Sequence, residues 1–166
     1  MAVRPIVPFP DPRLRAVAEQ VQVFDDALRR LAEDLLDTMR AAPGIGITAP
    51  HIGVALRVVV LELSAEDGVR TYVNPRLLWA SPETIRHQEG SVSMPGATEE
   101  VERHARVRVA YQDLDGAARE EEADGLLAIC HQHEIDQLDG IFWLQRLSRL
   151  KRERLIRRYG KQQRGA

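Results

Sequence analysis

The segment His133-Glu134-Ile135-Asp136-Gln137 stands one residue away from the HExxH pattern. On a helix, histidines at i and i+4 project from one face and can hold a metal ion, while the glutamate acts as general base on the water that the metal activates. Gln137 replaces the second histidine here, so His133 and Glu134 amount to an ordinary surface pair unless other segments supply partners. Two segments have the composition to do so. Gly44 to Gly53 (GIGITAPHIG) is glycine-rich and carries His51; Glu89 to Gly96 (EGSVSMPG) carries Glu89 and Ser91 beside Gly90, Pro95 and Gly96. Taken singly, each feature has a plain structural reading. The glycines make a turn between helix and strand, His87 and His131 are solvated or capping residues, and Cys130 is a buried structural thiol.

Several elements must position these residues. From Gly125 to Leu138 the spacing is helical, with Leu127, Cys130, Ile135 and Leu138 as the expected buried side, and this helix carries His133 and Glu134. An earlier helix is predicted over Asp25 to Ala42, where Leu28, Leu31, Leu35, Leu36 and Met39 recur at helical spacing, acidic residues sit at the start and Pro43-Gly44 ends the run. Ahead of it, Pro5, Pro8, Pro10 and Pro12 predict an extended arm wrapping the surface. Strands are expected at Leu56 to Leu63, Thr71 to Ala80 and Arg106 to Leu114, with Thr84 to Gly96 as a short strand leading into a turn. Leu147 to Arg158 reads as an amphipathic helix with Leu147, Leu150, Leu155 and Ile156 on its apolar side, frayed from Gly160 onward.

With 166 residues, 44% hydrophobic and 29% charged, a single domain over 1–166 is expected, its last part (about 147–166) a basic helix and tail. The formal charge of −2 hides an asymmetry: Arg119 to Asp124 (REEEAD) is acidic, while Arg146 to Ala166 holds nine Arg or Lys against one Glu. The single cysteine excludes an intrachain disulfide and fits the cytoplasm. The start lacks the apolar run of a signal peptide and no stretch approaches a membrane span, so a soluble, unprocessed protein is expected, with neither DNA nor membrane as partner.

Together the three segments resemble the three motifs of the peptide deformylase family, in its order and spacing. In the first, a glutamine usually stands at the position of His51; in the second, a cysteine stands at Ser91; in the third, a histidine stands at Gln137. PDPRLR near the start, VNP at Val73 to Pro75, DLDG at Asp113 to Gly116 and LSRLKR at Leu147 to Arg152 match as well, so the resemblance covers nearly the whole chain. It implies an α+β fold: antiparallel sheets around a central helix carrying the HExxQ segment, with an N-terminal helix and a basic C-terminal helix. The implied activity belongs to protein biosynthesis, removal of the N-formyl group from the N-terminal methionine of new chains, using Fe2+, Zn2+ or another divalent ion held by the cysteine and two histidines. By position, His133 is a metal ligand and Glu134 the general base. The Val92 N–H and His51 stand beside the substrate carbonyl, and Gly44, Ile45, Gly46, Glu89, Gly90 and Thr98 line the substrate site. Thr98 replaces a larger polar or basic residue, which weakens the expected grip on peptide.

The two exchanged ligands are poor ones. A cysteine binds as a soft, charged thiolate, whereas a serine hydroxyl stays protonated and a glutamine carbonyl is neutral. Weak or absent metal is therefore expected, leaving Glu134 to face water of pKa about 15.7 rather than about 7. Two readings stay open. One is a degenerate, deformylase-like protein that binds formylated or unformylated peptide N-termini as a binding or regulatory module. The other is a working metal hydrolase rebuilt on His51 and His133 with Glu134 or Glu89. The basic tail likewise has two readings, a solvated helix packed on the domain or a contact with the ribosome.

Overall fold

In the computed structural model, which describes residues 2–165, Asp25 opens the first helix, α1 (Asp26–Ala41), by accepting a hydrogen bond from the Leu28 N–H at 3.1 Å. Met1 and Ala166, the last residue of the expected tail, lie outside the described residues. Leu28, Leu35 and Met39 turn one stripe of α1 onto β1 (Gly46–Thr48) and β2 (Val58–Leu61), whose four residues are all buried. The chain continues through β3 (Arg70–Ala80), β4 (Thr84–Ser91), β5 (Met94–His104), β6 (Arg106–Gln112) and β7 (Ala118–Asp124). All pairings are antiparallel: a five-stranded sheet in the order β1-β2-β3-β6-β7 and a separate β4-β5 hairpin. Helix α2 (Gly125–Leu138) packs against strands of both, and α3 (Arg149–Arg164) lies on β5. This is the expected α+β arrangement around a central helix. Among the described residues, no helix is long and apolar enough to cross a membrane.

Several expectations need correction. The strand and turn expected over Thr84 to Gly96 are present, but they open a long hairpin whose second arm, β5 from Met94 to His104, was not expected. The acidic run Arg119 to Asp124 is an edge strand: Glu120 and Glu122 face solvent while Glu121 and Ala123 turn inward, an alternation that the like charges conceal. The arm is partly inserted rather than merely wrapped, because Val7 and Leu14 are core residues and the Val7 N–H donates to the His51 carbonyl at 2.7 Å. The last helix runs through Gly160 to Arg164, and Leu155 and Tyr159 are its buried anchors; Leu150 and Ile156 are exposed.

Helix α2 has ten buried residues, so it is not a one-faced amphipathic helix. Its C-terminal carbonyl end meets the Arg57 guanidinium, which reaches Leu138 O at 3.2 Å and Asp139 Oδ1 at 2.7 Å and so complements the helix dipole. The chain then turns at Gly140 with φ +78°, where a Cβ would fall 2.4 Å from the Arg15 carbonyl oxygen. Gly140→Ala is therefore expected to lose about 2–3 kcal/mol, backbone strain and collision combined, read as a fall in thermal midpoint of about 4–12 °C.

Candidate functional site

The three chemistry-bearing segments meet at one cavity of about 490 Å³. Gly44, Ile45, Gly46 and His51 form one wall; Glu89, Gly90, Ser91, Val92 and Thr98 come from the hairpin; His133 and Glu134 come from α2. Of the expected site residues, only Gln137 is absent from the lining. Leu126, Ile129 and Cys130 complete the wall from α2, one and two turns before His133. Sequence reasoning missed Leu126 and Ile129 as site residues, although their i, i+3, i+7 spacing to His133 carried the signal.

His51 is fully buried in the Ala49–Ile52 turn, and its Nδ1 accepts the Thr48 N–H at 2.9 Å. That bond places the imidazole proton on Nε2, which has no partner among the described residues. Burial, with His133 nearby, pushes its pKa down to about 3, so the ring is a neutral donor. Glu134 is equally buried. Its Oε1 has no hydrogen-bond partner among the described residues, and desolvation raises its pKa. Gly46 makes room for this carboxyl, since a Cβ there would lie 2.9 Å from Glu134 Oε2.

His133 is held from the side. Its Nδ1 lies 2.8 Å from Glu89 Oε1, while its Nε2 stands 3.7 Å from Glu134 Oε1. Burial opposes a charge on this ring, but the Glu134 and Glu89 carboxyls outweigh it and raise its pKa. Glu89 is itself clamped by the buried Arg103, which donates through Nε and Nη2 at 2.8 Å each. Arg103 Nη1 also donates to Asp136 Oδ2 at 2.7 Å, and Arg146 binds both Asp136 oxygens at 2.8 Å. Desolvation alone would raise the Glu89 pKa; Arg103 and His133 overturn that and hold it near 2. Arg103 was not singled out from sequence, because β5 itself was not foreseen.

The other two ligand positions are otherwise engaged. Ser91 Oγ accepts the Ser93 N–H at 3.1 Å. Gln137, buried away from the cavity, donates its Nε2 to the Leu14 carbonyl of the arm at 2.6 Å. Among the described residues, no three His, Cys, Asp or Glu side chains are grouped as a metal site requires. Burial pushes the Cys130 thiol up to about 12, as suits the buried thiol expected, although the residue also lines the cavity. His87 is exposed as expected, but His131 is not solvated: it is buried edge-on to Tyr72, with Nε2 2.8 Å from Glu121 Oε1.

A central helix presents a His-Glu pair to a cavity closed by an antiparallel hairpin, the arrangement that the resemblance of the three motifs implies. The chain belongs to the polypeptide deformylase family, whose model matches residues 3–153. A peptide deformylase-like protein of Brucella melitensis is 72% identical over 164 residues, covering 99% of this chain and 100% of that one. A peptide deformylase of Phenylobacterium zucineum is 46% identical over 169 residues and covers both chains fully. The crystal structure of a peptide deformylase from Legionella pneumophila superposes with TM-score 0.92 at 39% identity, covering 98% of this chain and 96% of that one. The family is metal-dependent, so a divalent ion is the group against which these residues must be tested.

Proposed function

We propose that this chain keeps the deformylase pocket for a methionyl peptide N-terminus but has lost, or retains only weakly, the family's metal-assisted hydrolysis, and that it serves as a binding or regulatory module. The observation that carries this reading is Gln137. Its side-chain nitrogen is committed to Leu14, so the position where the family has a histidine turns a donor away from the cavity. Ser91 adds only a neutral hydroxyl, leaving His133 as the one inherited imidazole. This set does not fit iron or zinc.

The pocket supports peptide binding independently of metal. Its walls are largely apolar, from Ile45, Val92, Leu126 and Ile129, and the unpartnered His51 Nε2–H and Glu134 Oε1 offer a donor and an acceptor to one small polar group. Binding of a labelled formyl-methionyl peptide, followed by fluorescence anisotropy, is expected to be unchanged within about twofold by a chelator. Gly46→Ala, which displaces the Glu134 carboxyl, is expected to weaken it by about tenfold, or about 1.4 kcal/mol. Binding that appears only after metal loading would favour the rebuilt hydrolase instead. The proposed setting is the cytoplasm, with the basic α3 as the contact to the ribosome; affinity falling steeply with added salt would support that contact.

A further inference from the structure

Glu89 and Ser91 stand two residues apart on β4, and both line the cavity with His133 of α2. Arg103 fixes both oxygens of Glu89, and Glu89 Oε1 in turn holds His133 Nδ1 at 2.8 Å. A carboxylate in that position sets the ring with its proton on Nδ1 and a lone pair on Nε2. Its Nε2 lies 3.7 Å from Glu134 Oε1, beyond hydrogen-bonding distance. Ser91 Oγ accepts the Ser93 N–H, which leaves its own O–H free to donate. Carboxylate, imidazole and hydroxyl, with the carboxylate locked from behind by a buried guanidinium, are the parts of an acyl-transfer triad and need no metal. A donor for the developing oxyanion is also present: His51, 1% exposed, lines the same cavity with its Nε2–H unpartnered among the described residues.

We propose that Ser91, His133 and Glu89 form a slow, metal-independent acyl-transfer triad that accepts the formyl or another small acyl group of a bound peptide N-terminus. The proposal rests on the peptide-binding reading above. Ser91 Oγ attacks the acyl carbon as His133 Nε2 takes the hydroxyl proton. The C–N bond then breaks, and His133 returns that proton to the departing amine, leaving a free peptide N-terminus and an O-acyl ester on Ser91. Water adds to the ester as His133 takes its proton; the ester C–O bond breaks, Ser91 Oγ recovers the proton, and the carboxylic acid leaves as formate plus a proton. Glu89 bonds neither substrate nor water and acts as the positioning residue for the ring. In this structure the Ser91 oxygen is bonded to the Ser93 N–H rather than to His133. Hydrogen bonds between nucleophile and base are commonly loose without substrate and tighten when it binds.

The test uses the full chain in excess chelator. A fluorophosphonate probe, followed by peptide mapping, is expected to label Ser91 in the wild type and in Gln137→Leu, and to leave Ser91→Ala unlabelled. With a formyl-methionyl peptide, formate release is expected to survive the chelator and to fall at least about a hundredfold in Ser91→Ala. Glu89→Gln is expected to slow labelling and Glu89→Asp to restore part of it, a rescue by the retained carboxylate that loss of packing alone would not give. Acid quenching during turnover is expected to trap a mass gain of one CO unit on Ser91. Peptide binding without labelling or chelator-resistant formate overturns the triad and leaves the binding reading standing. Labelling of Ser91 without peptide binding supports the triad and moves it to another acyl donor. Formate release that disappears with the chelator overturns it in favour of metal.

Discussion

Ser91→Cys combined with Gln137→His is expected to convert the chain into a metal protein, with about one iron, nickel or zinc per chain after anaerobic reconstitution. Formyl-methionyl peptide turnover is expected to rise by at least about a hundredfold. Single changes around a metal site cost about 10- to 100-fold when they touch only the residues behind the ligands, so two restored ligands should exceed that range. The rest of the constellation is already in place: His133 is oriented by Glu89, Glu134 is buried beside it, and Val92 lines the cavity. The substitution at position 137 gives up the bond to Leu14 O, worth about 1 kcal/mol, and asks the side chain to turn toward the cavity instead. Each single variant should gain little, because a divalent ion needs both new donors along with His133. Inductively coupled plasma mass spectrometry and a formate assay on the three variants check this. If the double variant gained neither metal nor turnover, more than the two ligands would separate this chain from an active deformylase.

Arg103→Met is expected to cost about 3–5 kcal/mol in stability at neutral pH, the penalty for leaving buried carboxylates without their cation. Arg103 is 4% exposed and joins Glu89 of the hairpin to Asp136 of α2, so its loss uncouples the two elements that form the cavity. The sign with pH follows from the depressed Glu89 pKa, near 2 against an ordinary 4.5. A lowered carboxyl pKa contributes stability that is full above the unfolded value and is lost as pH falls through the folded one. The gap between wild type and Arg103→Met should therefore be largest above about pH 4.5 and shrink toward pH 2, where a protonated Glu89 no longer needs a cation. Urea unfolding at stepped pH reads both stabilities. A gap that widened on acidification would show that Arg103 does not act through its carboxylates.

The helices were legible because their signals are local. Periodicity over Gly125 to Leu138 matched α2 end to end, and Asp25 with Pro43-Gly44 bounded α1 to within a residue. Three strands were missed: Gly46 to Thr48 lies within the glycine-rich segment read as a turn, Met94 to His104 opens on Met-Pro-Gly, and the acidic residues of Ala118 to Asp124 mask its alternation. His131 was misread for the same reason, since its partner Glu121 turns inward only once β7 is an edge strand. Within the site, the motif resemblance named about half of the cavity lining, and left out Leu126 and Ile129 of α2 and Met94 to Ala97 of β5. It could not show that Gln137 is bound to Leu14, a residue 123 positions away, nor that Thr48 fixes the His51 tautomer. Those are pairings across the fold, and no local pattern encodes them.

Whether the native chain holds a working metal is read most directly from the metal content of protein purified without oxygen, assayed at once on a formyl-methionyl peptide with iron, nickel, zinc and cobalt supplied in turn. Far less than one metal per chain, with no rise in turnover on adding any of them, is the predicted result. One metal per chain with metal-dependent turnover would contradict it and make His51 the first residue to mutate.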